Sequence, residues 1–184
     1  MKLNPYVYSQ RLIQKAEMKT FKKEVSFRVM QKAAEACSNY IIDIVANKKI
    51  LVLCGPGNNG GDGILIGKYL HDKQKKVELY APLGMAKTND SRKALALLNS
   101  NLLIKQSVNL DDYDFIIDSV FGVGLNRSIS KKLQILFRDL NVSPARVIAI
   151  DMPSGVHSDT GQVDSVAIKA DTTLTFHRLK PGHL

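Results

Sequence analysis

The chain has 184 residues, 45% hydrophobic and 23% charged, which suits one domain around a substantial core. It has no apolar run long enough to span a bilayer, and residues 1–23 lack the compact apolar stretch of a signal peptide and include Glu17, so cytoplasmic residence is expected and a membrane is not. The formal charge of +9 suits an anionic ligand; the basic residues are dispersed as pairs such as Lys48-Lys49 and Lys131-Lys132, aromatics are sparse and Trp is absent, so no nucleic-acid partner is expected.

Phe27, Met30, Ala33, Ala34, Cys37, Ile41 and Ile44 recur at helical spacing and predict an amphipathic helix over residues 26–47 whose apolar stripe is core. Apolar strand candidates follow at 50–54, 77–81, 102–104, 115–118, 147–151 and 172–176. Helical patterns separate most of them, at 64–74, 90–99 and 130–140. Short, nearly continuous apolar strands alternating with helices indicate an α/β domain with a parallel sheet covered on both sides. Gly67, inside a predicted helix, marks a close helix–sheet contact. Cys37 and Cys54 read as buried small residues, not as a disulfide or a metal site.

The segment Gly55-Pro-Gly-Asn-Asn-Gly-Gly-Asp-Gly63 packs five glycines into nine residues between a strand and a helix. Such a loop aims backbone N–H groups and a helix dipole at one point, where a phosphate is favoured. A Walker A loop is excluded, because Gly61 and Asp62 follow Gly60 where Lys and Ser or Thr would be required. Residues 55–60 satisfy the dinucleotide pattern G-x-G-x-x-G. The acid expected about 20 residues on would be Glu78, but it sits inside a strand rather than at its end.

In a parallel sheet all strands deliver their C-terminal ends to one edge, and ligands bind there where the strand order reverses. Two further strands end in unusual chemistry: Asp118, followed by Gly122-Val-Gly124 and Arg127, and Asp151, followed by Pro153-Ser154-Gly155. A carboxylate there is costly unless paired, protonated or bound to a cation. One such Asp could equally cap the next helix, but two beside a glycine loop favour function. Asn59, Asp118 and Ser154 form an all-oxygen set of one negative charge, suited to a large hard cation rather than zinc. The four histidines lack metal-ligand spacing and read as surface or loop residues. Arg127 offers a fork-shaped phosphate donor.

Five blocks, Asn58-Asn-Gly-Gly-Asp-Gly63, Asp118-x-x-Phe-Gly-x-Gly-Leu-x-Arg127, Asp151-x-Pro-Ser-Gly155, Asp159-Thr-Gly161 and Lys180-Pro-Gly182, resemble those of the NAD(P)H-hydrate epimerases, the YjeF N-terminal domain family. Val123 stands where Thr is usual, Met152 replaces the usual Ile, and residues 30–34 match the family's helix motif only loosely. The resemblance implies a three-layer, Rossmann-like sandwich with a mostly parallel sheet. It implies interconversion of the R and S forms of hydrated NADH and NADPH. It implies contacts to that dinucleotide from Asn58, Asn59, Gly60, Gly61 and Asp62, from Gly122, Val123, Gly124, Leu125, Asn126, Arg127 and Ser128, and from Asp151. By the same analogy Asn59, Asp118 and Ser154 hold a potassium ion. Because the family domain usually runs past Lys-Pro-Gly, residues 1–184 are expected to be a single domain and a fragment of a longer protein, one that could be bifunctional. An ADP- or ATP-dependent dehydratase domain, fused or separate, and a homodimer are the partners to expect.

Inverting the hydroxylated ring carbon of such a substrate needs water loss and return, or ring opening and reclosure. Either route requires proton transfer at oxygen. Asp151, at a strand end on the shared edge, is the expected acid–base residue, with Asp62 second. The dinucleotide is then substrate, not cofactor. Two rivals stand beside this reading. An NAD-dependent oxidoreductase would carry an acid ending the second strand and a catalytic Tyr-Lys or His; neither is found. A non-catalytic nucleotide- or RNA-binding module would be expected to lose Asp151 or the glycine loop; both are kept.

Overall fold

Alternate residues of a strand face opposite sides of a sheet, and β1 (Lys49–Cys54) builds two cores in this way. Ile50, Val52 and Cys54 enter one, and Leu51 and Leu53 the other. The structure, a computed structural model, describes residues 7–21, 25–84, 86–102, 104–125 and 128–184. The first core is closed by α2 (Ser26–Val45), α3 (Asn58–Asp72) and α4 (Asn89–Ala96) through Met30, Ala34, Ile41, Leu65 and Ala94. The second is closed by α5 (Lys131–Val142), whose Leu133, Phe137 and Leu140 meet Tyr113, Ile116 and Val147. Helices on both faces of one sheet make a three-layer α/β sandwich.

The remaining strands are β2 (Lys76–Tyr80), β3 (Ile104–Lys105), β4 (Phe115–Ser119), β5 (Arg146–Ile150) and β6 (Thr172–Leu174). Their order is β3-β2-β1-β4-β5-β6, and every pairing is parallel. The chain therefore reverses direction across the sheet between β1 and β4, and a crevice opens beyond their C-terminal ends.

Three expectations need correction. The glycine segment is mostly helix: α3 begins at Asn58, not at residue 64, so Asn58–Gly63 form its first turns. Glycine is a poor helix former by about 1 kcal/mol relative to Ala, and packing overrides that preference. A Cβ on Gly60 would lie 1.7 Å from the Gly55 carbonyl oxygen, one on Gly63 would lie 1.8 Å from Ser119 Oγ, and one on Gly61 would meet Met30 and the Ser91 backbone at 3.0 Å. The second correction is β3, which runs over Ile104–Lys105 rather than 102–104, while Leu102 is buried ahead of it. The third is an addition at the N-terminus, where Gln10–Phe21 form α1.

The expected contact at Gly67 is present: a Cβ there would stand 2.5 Å from Leu79 Cδ2. Cys37 and Cys54 are buried free thiols, both pushed up to about 12 chiefly by burial. Among the described residues no helix is long and apolar enough to cross a membrane.

Candidate active site

Between the ends of β1 and β4 lies a cleft of about 480 Å³. Its floor and walls come from Pro56–Asn59 and Asp62 at the head of α3, from Val120–Leu125 after β4, and from Asp151 after β5. Thr88, Phe176 and Glu17 complete the rim. The β1 and β4 ends approach so closely that a Cβ on Gly55 would be 1.9 Å from the Val120 carbonyl oxygen. Gly57 and Gly124 differ: a Cβ on either would meet no protein atom within 4 Å, so their backbones are open to a ligand.

Asp151 occupies the left-handed region with φ +67°, a conformation that costs a non-glycine residue about 1 kcal/mol or more. Its neighbours hold it there. Its N–H donates to the Leu174 carbonyl at 2.7 Å, and its carbonyl accepts from His183 Nε2 at 2.8 Å. His183 Nδ1 accepts from the Lys180 N–H at 2.9 Å, which leaves the ring proton on Nε2. The Asp151 carboxylate is used unevenly. Oδ1 accepts from Lys180 Nζ, from Thr175 Oγ1 at 3.3 Å and from the Phe176 N–H at 3.4 Å. Among the described residues Oδ2 accepts only a long contact from the Val123 N–H at 3.4 Å, and it would touch a Cβ on Gly122 at 3.0 Å.

Asp118 and Ser154 lie beneath the cleft and are fully buried. Asp118 accepts from the Ser154 N–H at 2.7 Å, Ser154 Oγ at 2.6 Å and the Val120 N–H at 3.2 Å. Ser154 Oγ in turn accepts from the Phe121 N–H at 2.8 Å and so pins the Gly122 turn. Neither Asp118 nor Asp151 caps a helix. Burial raises the Asp118 carboxyl to about 6 despite these hydrogen bonds. Asn59 stands against the Gly122 turn: its Cγ would be 3.2 Å from a Cβ on Gly122. Both polar atoms of its amide are buried with no hydrogen-bond partner among the described residues. Asp62 is held well above the usual carboxylate range, first by burial and then by the charges of Asp151 and Glu17.

Of the residues expected to contact a ligand, Asn58, Asn59, Asp62, Gly122, Val123, Gly124, Leu125 and Asp151 line this one cleft. Gly60 and Gly61 are buried inside α3 packing, and Ser128 is exposed away from the lining. Asn126 and Arg127 lie outside the described residues. Glu78 serves the fold: it accepts from Tyr113 Oη at 2.5 Å and faces Lys49 and Lys105 at 3.6 and 3.7 Å.

Sequence reasoning missed Thr88, Phe176, Glu17 and Lys180. Thr88 Oγ1 donates to Asn58 Oδ1 at 2.6 Å, and Glu17 is paired with His177 at 3.3 Å. Lys180 had a signal, the Lys-Pro-Gly block, but no partner 29 residues away can be read from it. The surface-or-loop reading of the histidines overlooked His183, which braces the Asp151 backbone.

The profile of the YjeF-related protein N-terminus family matches residues 26–182 of this chain. The chain belongs to that family. A bifunctional NAD(P)H-hydrate repair enzyme of Dictyoglomus turgidum is 36% identical over 163 residues, covering 84% of this chain and 32% of the relative. An NAD(P)H-hydrate epimerase of Oenococcus oeni is 38% identical over 73% of this chain and 66% of the relative. One of Limosilactobacillus fermentum is 35% identical over 85% of this chain and 77% of the relative. The chain thus spans about a third of the bifunctional relative and 66% and 77% of these two epimerases. The crystal structure of yeast ynu0 superposes with a TM-score of 0.85 over 97% of this chain and 83% of the yeast chain, at 17% identity, and so shares the fold.

Proposed function

We propose that this family member is an NAD(P)H-hydrate epimerase, an isomerase that interconverts the R and S forms of hydrated NADH and NADPH. The observation that carries the reading is a carboxylate oxygen, Asp151 Oδ2, facing a cleft walled by the head of α3 and the Gly122 turn. Relatives 38% and 35% identical bear the epimerase name, which supports the same reading.

The free N–H groups at the start of α3 and the open backbones of Gly57 and Gly124 favour an anionic, phosphate-bearing ligand. Asp151 Oδ2 then meets the hydroxylated ring carbon and moves a proton at its oxygen. Asp62 lies in the same cleft with its carboxyl biased toward the protonated form. A carboxyl so biased can supply the acid role beside Asp151.

Asn59, Asp118 and Ser154 would hold the potassium ion. The fit rests on the donor chemistry: a buried carboxylate with no Lys, Arg or His paired to it among the described residues, and an amide oxygen without a partner among them, set against the Gly122 turn that Ser154 pins. A buried amide left unsatisfied costs about 1–3 kcal/mol, which a cation and a ligand oxygen would offset together. When bound, the ion supplies positive charge that stabilises the Asp118 carboxylate and the nearby anionic ligand. A dehydratase, fused or separate, would consume the product pool; the bifunctional relatives support that pairing.

The test is an epimerisation assay on hydrated NADH, run in potassium and in a bulky organic cation at matched ionic strength. Interconversion of the two epimers faster than the spontaneous rate is expected. No acceleration in potassium would end the reading.

A further inference from the structure

Lys180 is 1% exposed, and its ammonium spends all three protons inside the protein. They go to Asp151 Oδ1, to Thr175 Oγ1 at 2.7 Å and to the Phe176 carbonyl at 3.0 Å. A buried ammonium costs several kcal/mol unless it is paired and hydrogen-bonded, so such a lysine needs a reason beyond packing. The reason lies in what it does to the carboxylate. Thr175 relays from Lys180 to the same oxygen, since its hydroxyl accepts from Nζ and donates to Oδ1. Three donors therefore converge on Oδ1, and Oδ2 is left toward the cleft.

We infer that Lys180 is the positioning residue of this site: it anchors Asp151 through Oδ1 and keeps Oδ2 aimed, unblocked, at the substrate. The inference rests on the reading of Asp151 as the acid–base residue. It also accounts for the Lys-Pro-Gly block. Pro181 opens a tight turn, Pro181–His183, that carries His183 back to the Asp151 carbonyl. The same short segment thus grips both the backbone and the side chain of one residue. Lys180 does not itself line the cleft and bonds to Asp151 and Phe176 behind it, so it acts through Asp151 and not on the substrate.

The decisive experiment is Lys180→Ala assayed with hydrated NADH, with and without propylammonium to refill the space left by the missing side chain. A positioning role predicts that kcat falls by about 100-fold or more while KM changes by less than a few fold. It also predicts that propylammonium restores part of kcat in a saturable way, while tetramethylammonium does not. A raised KM with unchanged kcat, or a loss that propylammonium leaves untouched, would overturn it. A second measurement needs no activity. Thermal denaturation of Lys180→Met, Asp151→Asn and the double variant should show each single change more destabilising than the pair, because each leaves one buried charge alone. This holds even if Lys180→Met does not fold and the double variant does. Equal cost of Lys180→Met in both backgrounds would mean that Lys180 only fills space. If the wild-type protein fails to epimerise but the stability cycle shows the coupling, the functional reading falls and the pairing stands.

Discussion

Asp151→Asn keeps the size of the side chain and removes its capacity to carry a proton, so epimerisation should be lost. The structure adds a cost that size alone conceals. The Lys180 ammonium would remain buried without its counter-charge, and breaking one side of such a pair typically costs about 3–5 kcal/mol. The variant is therefore expected to melt well below the wild type while still binding the dinucleotide at a temperature where it is folded. Turnover at the wild-type rate would remove Asp151 from the mechanism. Asn59 makes a complementary case. Its amide has no hydrogen-bond partner among the described residues, so Asn59→Leu should raise the stability of the unliganded protein, by up to about 1–3 kcal/mol, and cost affinity once ligand is added.

Glycines at the head of α3 and in the turn after β4 do different jobs. Gly60 and Gly63 exist because backbone or a buried hydroxyl occupies the space of their Cβ atoms, within 1.7 and 1.8 Å. Gly60→Ala should therefore destabilise the fold by about 1–3 kcal/mol or more, as overpacking does, and chemical denaturation would read it. Gly124 has no protein neighbour within 4 Å of a Cβ and no positive φ. Gly124→Ala should leave the denaturation midpoint near wild type and weaken dinucleotide binding, measured by titration calorimetry. A stable Gly124→Ala protein with unaltered affinity would show that no ligand approaches that turn. The contrast distinguishes glycine kept for the fold from glycine kept for the ligand, on two elements that face one cleft.

The buried carboxyls under the cleft hold their protons to higher pH than exposed ones, which makes the stability of the molecule pH-dependent. Asp118 titrates at about 6 when folded against 3.8 as its ordinary value, and Asp62 is raised as well. Between these values the folded state binds the extra proton, so stability is lowest above pH 6 and rises as the pH falls toward 4. For Asp118 the shift corresponds to about 3 kcal/mol. Glu78 and Asp114 have the opposite sign. Both are lowered, by the Tyr113 hydroxyl and the Lys49 N–H respectively, so their stabilisation is present at neutral pH and fades below their ordinary values of 4.5 and 3.8. Without potassium, the melting temperature should be higher at pH 5 than at pH 7.5. Adding potassium should raise it at pH 7.5 more than at pH 5, where a proton already neutralises Asp118. An equal potassium effect at both pH values, or an undiminished one in Asp118→Ala, would place the cation elsewhere.

Much of this was legible from local pattern. Short apolar runs between amphipathic helices announce a covered parallel sheet, and a parallel sheet forces Asn58, Asn59, Asp62, Gly122 and Asp151 to one edge whatever the loops do. The glycine segment and the two aspartates at strand ends carried the site, because those residue types are costly where they stand without a ligand or a partner. What stayed hidden depends on contacts between distant positions. Helix propensity argues against starting α3 at Asn58, and only the tight packing of Gly60 and Gly63 against Gly55 and Ser119 explains that start. The sequence of β5 does not reveal the left-handed turn of Asp151, since a strand and a hook from residues 174–183 impose it. A lysine in a Lys-Pro-Gly turn looks like solvated surface until folding buries it against a carboxylate, and that pairing is a property of the assembled sheet edge, written in no local stretch of chain.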